Sequence, residues 1–158
     1  MTRRSILLPL AAVAAACAAA LPIAAGNAQS GPRTITLTYA KPAKTFIDDV
    51  APRTTGRGKV SIGDRMVGIQ SIRAGGKTVG TMHTDATVTN RTPSPFSRFT
   101  ALIDATFHLG DGDLDAVGFV DSAAGGDRYT IVGGTGAYAG ARGSAKGSEG
   151  GIVIALIS

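Results

Sequence analysis

The feature that most constrains the fold is a glycine-dense run over residues 133–143. Glycine at this density does not sustain a helix, because each glycine loses more conformational entropy on ordering than any other residue. The run directly follows a β-rich segment, residues 128–132. Because glycine allows positive φ and close approach of two backbones, the run predicts a bend within a β-sheet. Five glycines are assigned structural roles in that bend: Gly133, Gly134, Gly136, Gly140 and Gly143.

Residues 134–139 also satisfy the G-x-G-x-x-A spacing of a dinucleotide-binding loop. Such a loop needs a helix directly after it, whose N-terminus receives the pyrophosphate. Gly140, Gly143 and Gly147 interrupt the residues where that helix would lie. We therefore expect no nucleotide, and the sequence indicates no other cofactor.

Alternation of apolar and polar residues with a period of two predicts strands through most of the chain. Further strand-like segments are residues 33–39, 65–73, 78–90, 114–122 and 152–157, whereas residues 41–59 and 90–97 contain prolines and are expected to be irregular. Seven or eight strands without a convincing helix predict an all-β, closed antiparallel barrel of eight strands, because closure removes unpaired edges. The clearest apolar face lies in residues 98–109: Phe99, Ala101, Ile103, Ala105, Phe107 and Leu109.

The N-terminal segment is typical of an export signal. Arg3 and Arg4 precede an apolar run, and residues 26–28 fit the small-residue rule for signal cleavage. We expect residues 1–28 to be a signal for the general secretory or the twin-arginine route, and residues 29–158 to form one domain. The protein would then be secreted or periplasmic, with no membrane anchor after cleavage. Cys17, the single cysteine, lies within the signal, so the mature domain would contain no disulfide.

The charge of the chain is modest. The net charge of +5 includes the two arginines of the signal, and the aromatic content is 5%. Nucleic-acid binding needs a concentrated basic surface, and no basic block is present. We therefore expect no nucleic-acid partner.

Residues 132–143 resemble the G-G-T-G-x-[YF]-x-x-A-R-G signature shared by dirigent proteins and allene oxide cyclase-like barrels. Residues 61–65 and 75–80 are similar to two further segments of these families, so the chain resembles an exported bacterial member. The resemblance implies a calycin-like barrel, often a homotrimer, with a cavity for an apolar or phenolic ligand. The families' acidic catalytic residues have no counterpart in residues 33–40, which contain no acidic side chain.

Tyr138 and Arg142, which flank the bend, are the predicted ligand-binding residues. A tyrosine at a cavity rim stacks on a ligand or hydrogen-bonds to it, and an arginine binds a carboxylate with two parallel donors. The alternative is that both side chains only stabilise the bend.

Histidines and aspartates are the remaining residues that could carry chemistry. His83 and Asp85 lie two residues apart and share one face of a strand, which makes them weak candidates for an acid–base pair. A solvated position on the outer surface is the favoured interpretation. The spacing of the histidines and aspartates elsewhere matches no compact ligand set, so we predict no metal site.

The sequence favours binding of a small apolar or phenolic ligand in the barrel, with cyclase-like or stereo-guiding action left open. Non-catalytic binding ranks ahead of isomerase activity, because no acidic residue is available in residues 33–40. The alternative is a structural or interaction module that oligomerises through its C-terminal strand, residues 152–157, which is apolar on both faces.

Overall fold

A computed structural model describes residues 32–40, 44–48, 60–92 and 98–157, and the predicted export signal lies outside these ranges. The strands in chain order are β1 (Arg33–Tyr39), β2 (Lys44–Asp48), β3 (Arg65–Ala74), β4 (Lys77–Thr92), β5 (Arg98–Leu109), β6 (Gly112–Asp121), β7 (Gly126–Gly134), β8 (Arg142–Ser148) and β9 (Gly151–Ile157). Within the described ranges the one helical element is a single 3-10 turn, Gly136–Tyr138. No helix there is long and apolar enough to span a membrane.

The strands form one antiparallel sheet that closes on itself. Its order is β1-β9-β8-β7-β6-β5-β4-β3, and β1 also pairs with β3 through Thr38 opposite Arg73 and Tyr39 opposite Ile72. The predicted all-β, closed eight-stranded barrel is therefore confirmed. β2 is a ninth strand that pairs with the same edge of β3 as β1 does, farther along β3, so the expectation of irregular chain over residues 41–59 was wrong for residues 44–48.

Side chains of alternate residues fill the barrel. In β5 the predicted inner face is correct, and Leu102 points outward as the single exception to the alternation. Small and large side chains alternate along β5, which lets neighbouring layers interdigitate. The fully buried large side chains come from seven of the strands and include Leu37, Ile72, Val88, Phe107, Leu114, Ile131, Ile152 and Ile154.

The two ends of the barrel differ in their connections. At one end, called the glycine end, residues 75–76, 110–111 and 135–141 join β3 to β4, β5 to β6 and β7 to β8. At the other end, called the aspartate end, residues 122–125 and 149–150 join β6 to β7 and β8 to β9. Tyr39, the last residue of β1, has its backbone N–H bonded to the carbonyl of Gly150 at the aspartate end, with an N···O distance of 3.1 Å.

The glycine run forms the bend between β7 and β8. Gly133 and Gly134 complete β7, the 3-10 turn follows, and Gly143 lies in β8. Gly136 has a φ of 56°, a conformation that suits glycine far better than other residues. A Cβ atom on Gly134 would lie 2.7 Å from the carbonyl oxygen of Tyr138, so only glycine fits this close approach of two backbones.

Candidate ligand-binding site

A cavity of about 540 Å³ opens at the glycine end of the barrel. Most of its wall is apolar, and three polar side chains stand together on one side. Its lining comes from β1, from the β3–β4 and β5–β6 hairpins and from the 3-10 turn. The lining residues are Arg33, Ile35, Leu37, Ala74, Thr78, Val79, Leu109, Gly110, Asp111 and Tyr138.

Arg33, Asp111 and Tyr138 form the polar side of this cavity. The guanidinium carbon of Arg33 lies 5.4 Å from the centroid of the Tyr138 ring, within range of a cation–π contact. Burial raises the pKa of the Tyr138 hydroxyl, and its hydrogen bond to Asp111 raises it further, while Arg33 opposes the rise. The phenol is therefore neutral at physiological pH and keeps its proton for hydrogen bonding.

The backbone explains why Tyr138 and Asp111 meet. The N–H of Ala137 donates to the carbonyl of Asp111, and the N–H of Thr135 donates to the carbonyl of Asp113, both at 2.9 Å. Within the turn, the N–H of Tyr138 donates to the carbonyl of Thr135 at 2.9 Å. The 3-10 turn is thus fixed to the β5–β6 hairpin, which places the phenol beside the carboxylate.

The structure separates the two predicted ligand-binding residues. Tyr138 is buried and lines the cavity, whereas Arg142 is exposed at the start of β8 and is not among the lining residues. The Arg142 Nη1 donates to the carbonyl of the neighbouring Ala141 at 2.7 Å. Arg33, which sequence reasoning missed, is the arginine beside Tyr138. Its place on the same face of β1 as Ile35 and Leu37 is the signal that was available.

His83 and Asp85 lie on the outer wall of the barrel, where the favoured interpretation expected them. The Arg65 Nε donates to both oxygens of Asp85, at 2.8 and 3.0 Å, and this pairing holds the pKa of that carboxyl below its usual range. The His83 ring meets the His108 ring edge to face, with centroids 4.8 Å apart. Neither residue lines the cavity at the glycine end, so the geometry offers them no role there.

A second polar cluster lies inside the barrel toward the aspartate end, and sequence reasoning missed it. The hydroxyl of Tyr129 donates to Asp127 Oδ2 at 3.2 Å. Burial raises the pKa of Asp127 in spite of that hydrogen bond, and burial together with the charge of Asp127 raises the pKa of Tyr39 to about 12. A Cβ on Gly147 would lie 3.4 Å from Asp127 Oδ2 and 3.6 Å from the Tyr39 hydroxyl, so the missing side chain leaves room for this cluster.

Comparison with known proteins shows the fold of this chain and not its activity. No family model matches the chain, and no curated protein matches it. The solved structure of pyocyanin demethylase is similar, with a TM-score of 0.67 and 22% identity over 78% of this chain and 99% of that one. The Diels Alderase AbmU from Streptomyces koyangensis has a TM-score of 0.55 and 13% identity over 83% of this chain and 71% of that one.

The feature shared with both structures is the small β-barrel. At identities below 25%, the likeness shows the fold class and carries no residue roles across. The closed β-barrel expected from the sequence is supported at that level, whereas the allene oxide cyclase-like family assignment is not supported by a family match.

Proposed function

We propose that this barrel binds a small apolar or phenolic ligand in the cavity at its glycine end. The observation that carries the proposal is an apolar recess of about 540 Å³ with three polar side chains gathered on one side. Cavities of a few hundred cubic ångströms with a few convergent polar groups are typical of small-molecule sites. Ile35, Val79 and Leu109 would contact the body of the ligand, while Arg33 and Tyr138 would bind its oxygen atoms.

The neighbouring folds support a small-molecule function. One is named as a demethylase of pyocyanin and the other as a Diels Alderase, so barrels of this class act on small molecules. Membership of the allene oxide cyclase-like and dirigent-like group is part of the proposal. Within it, the chain would hold its ligand in one conformer and so favour one product, with simple binding ranked first.

Calorimetric titration with 1-naphthol and 1-naphthoate tests this proposal, since the two probes share an apolar body and differ in charge. We expect saturable binding of both. Arg33→Ala should weaken 1-naphthoate binding about tenfold and 1-naphthol binding less, because a hydrogen bond to a charged group is the stronger one. Tyr138→Ala should weaken the binding of both probes.

Arg142→Ala is the matched control, because it removes the predicted arginine that does not line the cavity. Its affinities should equal those of the wild type. Absence of saturable binding, or a larger loss in Arg142→Ala than in Arg33→Ala, would refute the proposed site.

The second candidate is an interaction module that oligomerises through β9. Val153 and Ile157 on the outer face of β9 are 46% and 64% exposed, whereas Ile152 and Ile154 on the inner face are buried. Because β9 already pairs with β1 and β8, a partner would contact the outer face of β9 and not its edges. Separately from this apolar face, the family resemblance implies a homotrimer.

Export is also proposed from the sequence of residues 1–28. N-terminal sequencing of the protein recovered from a periplasmic or secreted fraction tests it. We expect the mature chain to begin at Gln29, and recovery of the full-length chain from the cytoplasm would contradict the proposal.

A further inference from the structure

An apolar patch lies on the outer wall of the barrel, across β5 and β6. It consists of Leu102, Val117 and Phe119, whose exposed fractions are 60%, 44% and 43%. Leu102 and Phe119 are direct partners in the β5–β6 register, and Val117 is two residues along β6 from Phe119. The three side chains therefore form one continuous surface, and together with Asp104 and Arg128 they line a hollow of about 570 Å³. Contiguous apolar surface of this kind marks an interaction site.

Two opposite charges stand at diagonal corners of this patch. Asp104 of β5 is the register partner of Val117, and Arg128 of β7 is the register partner of Phe119. Within the described part of the chain, neither side chain has an ion pair or a side-chain hydrogen bond. The patch thus carries an unpaired carboxylate on one side and an unpaired guanidinium on the other.

Asp104 lies where a carboxylate without a neighbouring cation destabilises the sheet. Asp85 of β4 is its direct register partner, so two carboxylates face each other across the β4–β5 pair. Like charges in directly opposed positions destabilise a sheet. Arg65 pairs with Asp85 and compensates that carboxylate, and no cation among the described residues does the same for Asp104.

We propose that the Leu102, Val117 and Phe119 patch binds a second copy of this chain across a twofold axis. Two such faces can pack together about a twofold axis that lies in the interface and runs perpendicular to the line from Asp104 to Arg128. Each Asp104 then lies opposite Arg128 of the other copy. One face supplies both charges, which is the self-complementarity that a twofold interface requires. The apolar side chains then lie at the centre and two equivalent ion pairs lie at the rim, the usual anatomy of a protein interface.

Sedimentation velocity over a series of protein concentrations tests this dimer. We expect a reversible monomer–dimer equilibrium for the wild type. Asp104→Arg or Arg128→Asp alone should raise the dissociation constant by about 100-fold or more, because each change creates two like-charged contacts per dimer. The double variant Asp104→Arg/Arg128→Asp restores opposite charges and should return the constant to within about tenfold of the wild type.

Two control variants separate this face from the rest of the surface. Lys77→Asp changes a charge on the β3–β4 hairpin, and Val153→Asp places a charge on the outer face of β9. Neither should alter the dimer.

Four results would overturn the proposal: a wild type that stays monomeric at every concentration, a wild-type assembly of three or more copies, single reversals without effect, or a double variant that fails to recover. Circular dichroism of each variant checks that the exposed substitutions leave the fold intact.

Discussion

The two ends of the barrel use glycine for different purposes. At the glycine end, the atoms nearest to a Cβ on Gly134 include the carbonyl oxygen of Tyr138 and that of Asp113, so two backbone segments are in contact. At the aspartate end, the atoms nearest to a Cβ on Gly147 belong to the side chains of Asp127 and Tyr39. The first glycine fixes a turn beside an open cavity. The second leaves space that polar side chains fill.

The close contact between two backbone segments at Gly134 predicts the largest effect on the free energy of unfolding. Gly134→Ala should lower the free energy of unfolding by about 3 kcal/mol, because the added methyl group meets main-chain atoms that cannot move aside. It should also weaken binding of 1-naphthol, because the same turn positions Tyr138. Urea unfolding and calorimetric titration measure the two effects.

Gly133→Ala is the matched control for this prediction. The neighbouring glycine has no heavy atom within 4 Å of its ideal Cβ position. Its substitution should change the free energy of unfolding by no more than about 0.5 kcal/mol. Equal losses for the two variants would show that strand glycine content, and not the close approach at Gly134, determines stability at this end.

Gly147→Ala tests the same comparison at the aspartate end. The nearest heavy atoms would lie 3.3 to 3.6 Å from the new methyl group. Asp127 Cβ is fixed by the backbone, whereas Asp127 Oδ2 and the Tyr39 hydroxyl oxygen can move when their side chains rotate. We expect a loss of about 1 kcal/mol in the free energy of unfolding, the low end of the range for overpacked sites. A loss as large as that of Gly134→Ala in urea unfolding would contradict the distinction between the two ends.

Sequence reasoning predicted the barrel because most strands alternate strongly. β5 shows why, since its inner face carries two phenylalanines, an isoleucine and a leucine. β8 was not located, because its inner positions are Gly143, Ala145 and Gly147, which have no large apolar side chain. β2 was missed because it has only five residues and lies between Pro42 and Pro52.

The candidate site was predicted only in part. Tyr138 belongs to the turn that the glycine run predicts, so it could be named from local sequence. Arg33 and Asp111 lie far from Tyr138 in the chain and meet it only through the register of β1 with β9 and the hydrogen bonds of the turn to the β5–β6 hairpin. Asp127 and Tyr129 required knowledge of which face of β7 points inward.

Tyr129→Phe tests the polar cluster at the aspartate end by removing one hydroxyl. The ring remains to fill the core, and the hydrogen bond to Asp127 is lost. We expect the free energy of unfolding to fall by about 1 kcal/mol, the usual net value of one hydrogen bond. If urea unfolding gave an unchanged free energy of unfolding, water would be replacing the Tyr129 hydroxyl as the hydrogen-bond donor to Asp127.

Asp127→Asn gives the smallest expected effect, and the size of that effect depends on pH. Burial raises the pKa of Asp127 above its ordinary value of 3.8, so the folded chain binds this proton more tightly than the unfolded chain does. The stability associated with that proton is complete below pH 3.8 and is lost as the pH rises through the folded-state pKa. Asn stays neutral, so the variant should unfold at higher urea concentration than the wild type at neutral pH, and the difference should vanish in acid.

Asp85→Asn on the outer wall is the control with the opposite sign. Pairing with Arg65 lowers the pKa of Asp85, so its contribution is present above the ordinary value of 3.8 and is lost as the pH falls through the lower, folded-state value. This variant should therefore be less stable than the wild type at neutral pH, and the difference should shrink in acid. If Asp127→Asn also destabilised at neutral pH, the hydrogen bond from Tyr129 would outweigh the cost of burying the carboxylate. The polar cluster would then stabilise the aspartate end in the same way that the Arg65 ion pair stabilises the outer wall.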